Sequence, residues 1–524
     1  MDNSFIIFGI LVSMKKKLVY LGIILLIVTY LISVKATPGN YNSGESILVT
    51  HDIYNIYEYE NTPFEFSRSR TEYTVLVSLF NDFKIYMPYS LARAGWPDSA
   101  MDGDGKFFSF AKAGLAFFAL PFYTIGSFFN LGQLGSALFV GFLGILNVLG
   151  IYYITRKILG GSLGVSMLAA FIYGFGTMAW VYSTTFIYHT PVNSCVIGLI
   201  IVVGKILKAK DKECAYTYSR YIWMLFGIIL TLDNPAFVAC SILIPTIFFI
   251  IWKYKRQYIK MFIETSVWLL LFLSVTALSQ QLLYGNWKEM SNDQIKLEPN
   301  KAFVQEKTDR LHERNKEQSF GVVSAAFSPR YIYGNTYATV FEPRKGLFFV
   351  HTIFIFSLLG YIKKTRKLLL AFIPFIIWLL LFYGMFKYGD GATSFGPRYL
   401  NPTLPLLAIL SAFGIVRYKK KPFTYWLSFP LLIFSILTMA SSAVSRFSNL
   451  SPFIDGYFGI QNLRFVMEDY SAMFIYDFWL RDIMPLWPIY VTICITLSIY
   501  AFYLYRFILT EKENDDWQKI DSQS

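Results

Sequence analysis

Apolar runs long enough to cross a bilayer recur along the whole chain, and the charges gather between them. A spanning helix needs ~20 mostly apolar residues. Lipid offers the backbone no hydrogen-bond partner, so runs of this kind must be helices. The first covers 18–34, and further spans read as 136–155, 163–182, 191–207, 221–233, 236–252, 258–282, 346–361, 368–386, 399–416, 424–442 and 484–505. That makes about twelve helices. The run 221–252 is divided by Asp233-Asn234-Pro235, where a charge and a proline make a tight hairpin between two helices. The segment 113–129 is apolar but interrupted by Pro121 and Gly126. Counting it as a span would invert the side of every later loop, so it reads as a helix in the outer interface or a re-entrant one. The alternative is that it spans and another segment does not.

Charge sets the direction of the threading. Lys15–Lys17, Arg156-Lys157, the group Lys205/Lys208/Lys210/Lys212, the group Lys253/Lys255/Arg256/Lys260, Lys363/Lys364/Arg366/Lys367, Arg417/Lys419/Lys420/Lys421 and Arg506 all fall on one side when the helices alternate. Cytoplasmic loops carry such an excess of Lys and Arg, so both termini are expected in the cytoplasm, and the chain is expected in the cell membrane as a multi-pass protein. The same clustering explains the net charge of +13 without a nucleic-acid partner. The first apolar run follows a basic flank and could be a signal peptide. Its length and the poor cleavage site at Val34-Lys35-Ala36 favour a retained helix, with Met14 as a second candidate start. Charged residues make up 15% of the chain, against about 25% in soluble domains, and the mean hydropathy is +0.45. Of four cysteines, Cys195, Cys240 and Cys494 lie in apolar runs and Cys214 in a Lys-rich loop, which points to no disulfide framework.

The expected fold class is therefore an all-α integral membrane protein with large external loops. A core of 1–442 includes external loops 35–135 and 284–345, the first with interfacial helices. A further external loop and the last spanning helix occupy 443–505, and 506–524 is a cytoplasmic tail. Structured mass on one face suggests an active site there. The spans carry almost no ionisable residue, which argues against a proton-coupled transporter. Asp102-Gly103-Asp104 looks like the metal motif of nucleotide-sugar transferases, but it would face away from the cytosol where those sugars are. As a calcium loop it fails, because its twelfth position is Ala113 and not Glu. A polar turn is the remaining reading. No histidine pair stands at metal-ligand spacing, and no phosphate-cradling or dinucleotide fingerprint is present. The residues call for no cofactor, and a divalent metal is left open without a site that supports it. Asn449-Leu450-Ser451 is a glycosylation sequon, which is permissive only.

Four stretches carry a resemblance. They are SRTEYTVLVSLF with PDSAMDGDGKFFSFAKAGLAFFALPFY within 69–123, GFGTMAWVYSTTFIYH at 174–189, FSPRYIYGNTYATVFEPRKGLFFVH at 327–351, and YGDGATSFGPRYLNPTLPLL at 388–407. In this order they resemble the GT-C superfamily of multispan glycosyltransferases, in its protein mannosyltransferase-like branch, over about a quarter of the chain. Two departures stand out. Relatives have Pro-Gly after the lysine of the first stretch, where this chain has Lys112-Ala113-Gly114. Some carry an Asp-Glu pair where this chain has Arg70-Thr71-Glu72.

The resemblance implies inverting transfer of a sugar, a mannose-like hexose, from a polyprenyl-phosphate donor to an acceptor on the external face. The acceptor, whether protein, lipid or glycan, is not named by the residues. The phosphate leaving group needs cations at the membrane surface, and Arg70, Lys112 and Arg398 are the candidates. Snorkelling or a salt bridge is the bland reading of each. Inversion needs a base for the acceptor hydroxyl. Asp98 matches best, with Glu72 and Asp52 in reserve, although Asp98 after Pro97 also reads as a turn residue. His189 and Arg344 are candidate substrate contacts, His189 being equally a structural histidine. The competing function is a transporter or flippase of lipid-linked sugars.

Overall fold

The computed structural model describes residues 3–36, 76, 80, 99–101, 107–109, 113–209, 211–284, 328–343, 346–360, 363–386, 397–445, 463–464, 466–469, 471 and 473–511. Helix α1 spans Asn3–Ile32. A two-stranded antiparallel hairpin follows, β1 (Ser99–Met101) against β2 (Phe107–Ser109), with Ala100 opposite Phe108. Next come α2 (Ala113–Ser127), α3 (Gly132–Tyr153), α4 (Leu163–Phe175), α5 (Met178–Ser183), α6 (His189–Lys208), α7 (Lys212–Leu232), α8 (Asn234–Ser241), α9 (Leu243–Lys255), α10 (Ile259–Glu264) and α11 (Val267–Tyr284). The chain continues through α12 (Ile332–Phe341), α13 (Leu347–Val350), α14 (Lys363–Met385), α15 (Leu404–Arg417), α16 (Pro422–Val444) and α17 (Leu486–Thr510).

The basic clusters meet at one end of the bundle, although hundreds of residues separate them. Lys208 Nζ donates to the carbonyl of Lys157 at 2.6 Å, and Lys255 Nζ to that of Ala209 at 2.9 Å. Lys419 Nζ donates to the carbonyl of Glu511 at 3.2 Å. The Glu511 carboxylate in turn closes the start of α4. It accepts from Ser162 Oγ at 2.6 Å and from the backbone N–H of Leu163 and Gly164, both at 3.1 Å. The first N–H groups of a helix lack partners within it, and a carboxylate there is favoured by the helix dipole. Glu511→Ala should therefore lower stability by about 1–2 kcal/mol, read as an earlier thermal unfolding of the detergent-solubilised protein. An unchanged transition would show that the last helix is held by apolar packing alone.

Local chemistry sets the other boundaries at this end and its opposite. Asp211 Oδ1 caps α7 by accepting from Cys214 N–H at 2.7 Å, which holds its carboxyl below the usual range. Asp233 Oδ2 caps α8 by accepting from Ala236 N–H at 2.9 Å, with Pro235 in the first turn, where a missing N–H costs nothing. Far along the chain, Asp469 Oδ1 accepts from Leu486 N–H at 2.7 Å and from Tyr476 Oη at 3.4 Å, fixing the start of α17.

Among the described residues, six stretches are long and apolar enough to cross a membrane: Gly132–Ile158, His189–Lys208, Ala236–Leu278, Arg398–Arg417, Pro422–Val444 and Leu486–Thr510. The longest of these folds back through the turn Arg256–Tyr258. Large aliphatic side chains stay open on the outside, such as Leu270 at 60% and Leu278 at 58% exposure. Water does not tolerate such rows, and lipid does; the chain is a multi-pass membrane protein.

Two expected spans take another form. The run 163–182 breaks at Gly176-Thr177, because Thr177 is extended and its hydroxyl restarts the helix by accepting from Ala179 N–H. The run 346–361 is the short α13 followed by a 3-10 helix, Thr352–Leu359. It lies backbone to backbone on α15. A Cβ on Gly414 would come within 2.1 Å of the Phe356 carbonyl, and one on Gly360 within 2.2 Å of that of Leu410. Small residues let membrane helices approach this closely. The interrupted segment forms one helix, α2, which is shorter than the six stretches above. It turns into α3 through Asn130, at φ +56, and a Cβ on Gly114 at its start would meet the Thr231 carbonyl at 2.3 Å. Its start thus packs beside the end of α7, and its end beside the start of α3.

Candidate active site

Burying a charge is costly unless something holds it. Among the described residues, the buried Lys, Arg, Asp and Glu side chains are Lys35 at 8%, Asp233 at 7% and Arg398 at 4% exposure. All three lie at the end opposite the basic clusters. Lys35 follows α1, Asp233 follows α7, and Arg398 opens the 3-10 turn Arg398–Thr403 that leads into α15.

Arg398 is held by its neighbour. Its Nη2 donates to Tyr399 Oη at 2.8 Å, and its guanidinium carbon stands 4.6 Å from the Tyr399 ring centroid. The Tyr399 ring stacks on Tyr383, near the end of α14, at 4.2 Å and 12°. Helix α14 also packs against α8, which Asp233 caps, and α6 packs against the Arg398–Thr403 turn, so the starts of α6 and α8 share this region. His189 is the first residue of α6 and is buried against Tyr188 and Tyr182, with ring centroids 4.3 and 4.7 Å away.

One turn further along each helix, the two starts are tied together. Asn193 Nδ2 donates to Asn401 Oδ1 at 3.1 Å and to Tyr173 Oη at 3.3 Å. Asn147 Nδ2 donates to the Thr190 carbonyl at 3.2 Å, and the hydroxyls of Thr190 and Ser183 are 3.3 Å apart. Lys35 Nζ donates to the Ser442 carbonyl at 2.8 Å, and its own N–H to the Thr184 carbonyl at 2.7 Å. It therefore joins the end of α1 to the end of α16 and to the segment that leads into His189.

No family model matches the sequence, and no curated protein matches it. The structure is similar to that of ArnT from Cupriavidus metallidurans. The form bound to undecaprenyl phosphate shares 10% identity over 95% of this chain and 76% of that one, with a TM-score of 0.48. The apo form shares 12% over the same fractions at 0.47. The archaeal oligosaccharyltransferase AglB from Archaeoglobus fulgidus, in complex with an inhibitory peptide and a dolichol-phosphate, shares 13% over 81% of this chain at 0.45. This chain spans 56% of that protein's length.

Of the residues singled out from the sequence, Arg398 and His189 are placed, and the Asn193–Asn401 hydrogen bond links the helices they open. Asp98, Glu72, Asp52, Arg70, Lys112 and Arg344 lie outside the described residues. The Asp102-Gly103-Asp104 motif also lies outside the described residues. Among the described residues, no group of His, Cys, Asp or Glu side chains is gathered as a metal site would require. Sequence reasoning missed Lys35, Asn193 and Asn401, and it read Asp233 only as a turn. The signal available for Lys35 and Asp233 was a charge at the edge of an apolar run. For the two asparagines there was only a polar residue within such a run, which does not single out a partner.

Proposed function

We propose that the protein is a membrane glycosyltransferase of the GT-C kind. It transfers a sugar, a mannose-like hexose, from a polyprenyl-phosphate donor to an acceptor on the face opposite the basic loops, with inversion. The observation that carries the reading is the gathering of buried Lys35, Asp233 and Arg398 at that one end. Arg398 stands there within the Gly-Pro-Arg-Tyr-Leu stretch that resembles the family. A lipid-linked donor brings its phosphate to the membrane surface, and a guanidinium sunk at a helix start there meets it with a planar fork of donors.

In the proposed reaction the acceptor oxygen attacks the anomeric carbon from the side opposite the phosphate. The bond from that carbon to the phosphate oxygen breaks, and the phosphate leaves with the electron pair. Arg398, with Arg70 and Lys112, offsets the charge gained by the leaving group. Asp98 takes the acceptor hydroxyl proton, with Glu72 and Asp52 as the other candidates. His189 and Arg344 line the substrate. A transporter of lipid-linked sugars is less well supported, since the buried charges sit at one end and not along a path through the bundle.

The test is a screen of the purified protein against polyprenyl-phosphate sugars, scored by release of the polyprenyl phosphate and gain of sugar by an acceptor. No release from any donor sinks the reading. Its orientation is tested with a native probe. Cys214 is exposed at the basic end, and the other three cysteines are buried. A membrane-impermeant maleimide should leave intact cells unlabelled at Cys214 and label it after permeabilisation. Labelling of intact cells would put the basic loops outside and the proposed site on the wrong face.

A further inference from the structure

The polar contacts around the first turn of α6 lie deep in an apolar bundle. Asn193 is 1% exposed and Asn401 is fully buried. Their side-chain amides exchange one hydrogen bond where two amides can exchange two. Asn193 Oδ1 and Asn401 Nδ2 have no hydrogen-bond partner among the described residues. A half-satisfied amide pair is a poor choice for stability, since an apolar pair would fill the same space without the desolvation cost. Where lipid removes most of the drive for apolar packing, polar contacts between helices set their geometry instead.

We infer that Asn401, held by Asn193 and through it by Tyr173, is a positioning residue for Arg398. Asn401 lies three residues after Arg398, one turn further along the same 3-10 helix. The chain of contacts runs from Tyr173 on α4 to Asn193 on α6 and on to Asn401. It fixes the rotation and depth of the 3-10 turn, and with it the place of the guanidinium relative to the helix that His189 opens. Tyr399, between the two, stacks on Tyr383 and holds the other side of the turn. A shift of the turn would carry Arg398 away from a phosphate at the membrane surface without removing any group that touches it. This rests on Arg398 being the phosphate-binding residue proposed above.

The experiment is a double-mutant cycle read by binding of undecaprenyl phosphate to the full-length purified protein. Arg398→Ala should weaken binding by about tenfold or more. Asn401→Leu should weaken it by about fivefold, and the double variant should bind no more weakly than Arg398→Ala alone. That non-additivity is what a residue acting through Arg398 produces. Losses that multiply, or wild-type binding by Asn401→Leu, would overturn the inference. If Arg398→Ala binds like the wild type, the phosphate assignment itself fails, which is a separate outcome. Should Asn401→Leu not fold, Tyr173→Phe removes the far hydrogen bond while keeping the ring. Its binding loss should vanish in the Arg398→Ala background, and no loss in the wild-type background would count against the proposal.

Discussion

Replacing Arg398 with alanine should lower kcat/KM for sugar transfer roughly 100-fold, the loss of about 2–3 kcal/mol expected when a charge-assisted contact to a phosphate is removed. The side chain is already seated, with its Nη2 on Tyr399 Oη and its guanidinium carbon 4.6 Å from the Tyr399 ring centroid, so donor binding does not have to order it. Arg398→Lys keeps the charge but not the fork, and it should recover about tenfold of the loss. The measurement is the initial rate of transfer with saturating acceptor and varied polyprenyl-phosphate sugar, beside a thermal unfolding curve for each variant. A variant that folds like the wild type and transfers at the wild-type rate would remove Arg398 from the site.

Asp98→Asn should cut transfer further, by about 10²–10⁴-fold, the usual contribution of a positioned base. Binding of the polyprenyl-phosphate donor should be unchanged, because the base acts on the acceptor. The two readouts separate Asp98 from Arg398: one variant loses turnover with binding intact, the other loses both. Undiminished transfer by Asp98→Asn would pass the role to Glu72 or Asp52, and the same pair of measurements would then decide between them.

Much of the membrane architecture was legible in advance because it depends on local composition. A backbone in lipid has one solution, a hydrogen-bonded helix, so apolar length alone marked out 136–155, 191–207, 399–416, 424–442 and 484–505 close to where helices stand. The shared face of the basic clusters was equally legible, and the contacts among Lys157 and Lys208, Ala209 and Lys255, and Lys419 and Glu511 now join them. The breaks were not. An apolar count does not register that Thr177 restarts a helix. Nor does it show that 352–359 tightens into a 3-10 turn while its neighbouring Gly360 packs against α15.

Within the candidate site, Arg398 was visible through the Gly-Pro-Arg-Tyr-Leu stretch that opens an apolar run, and His189 as a histidine beside Tyr188 at the end of one. That they open helices tied to each other was not visible, since the tie runs through Asn193 and Asn401, 208 positions apart. Lys35 was legible only as a residue that spoils a cleavage site, yet it bridges the ends of α1 and α16.

The sequence by itself determined that this chain is a set of helices in lipid with its positive loops on one side, because hydrophobic length and loop charge act locally on each segment. Only the tertiary structure decided which buried polar groups share an end of the bundle. Their burial and their partners come from helices far apart in the chain, and the apolar pattern of each helix is satisfied equally well whichever neighbour it packs against.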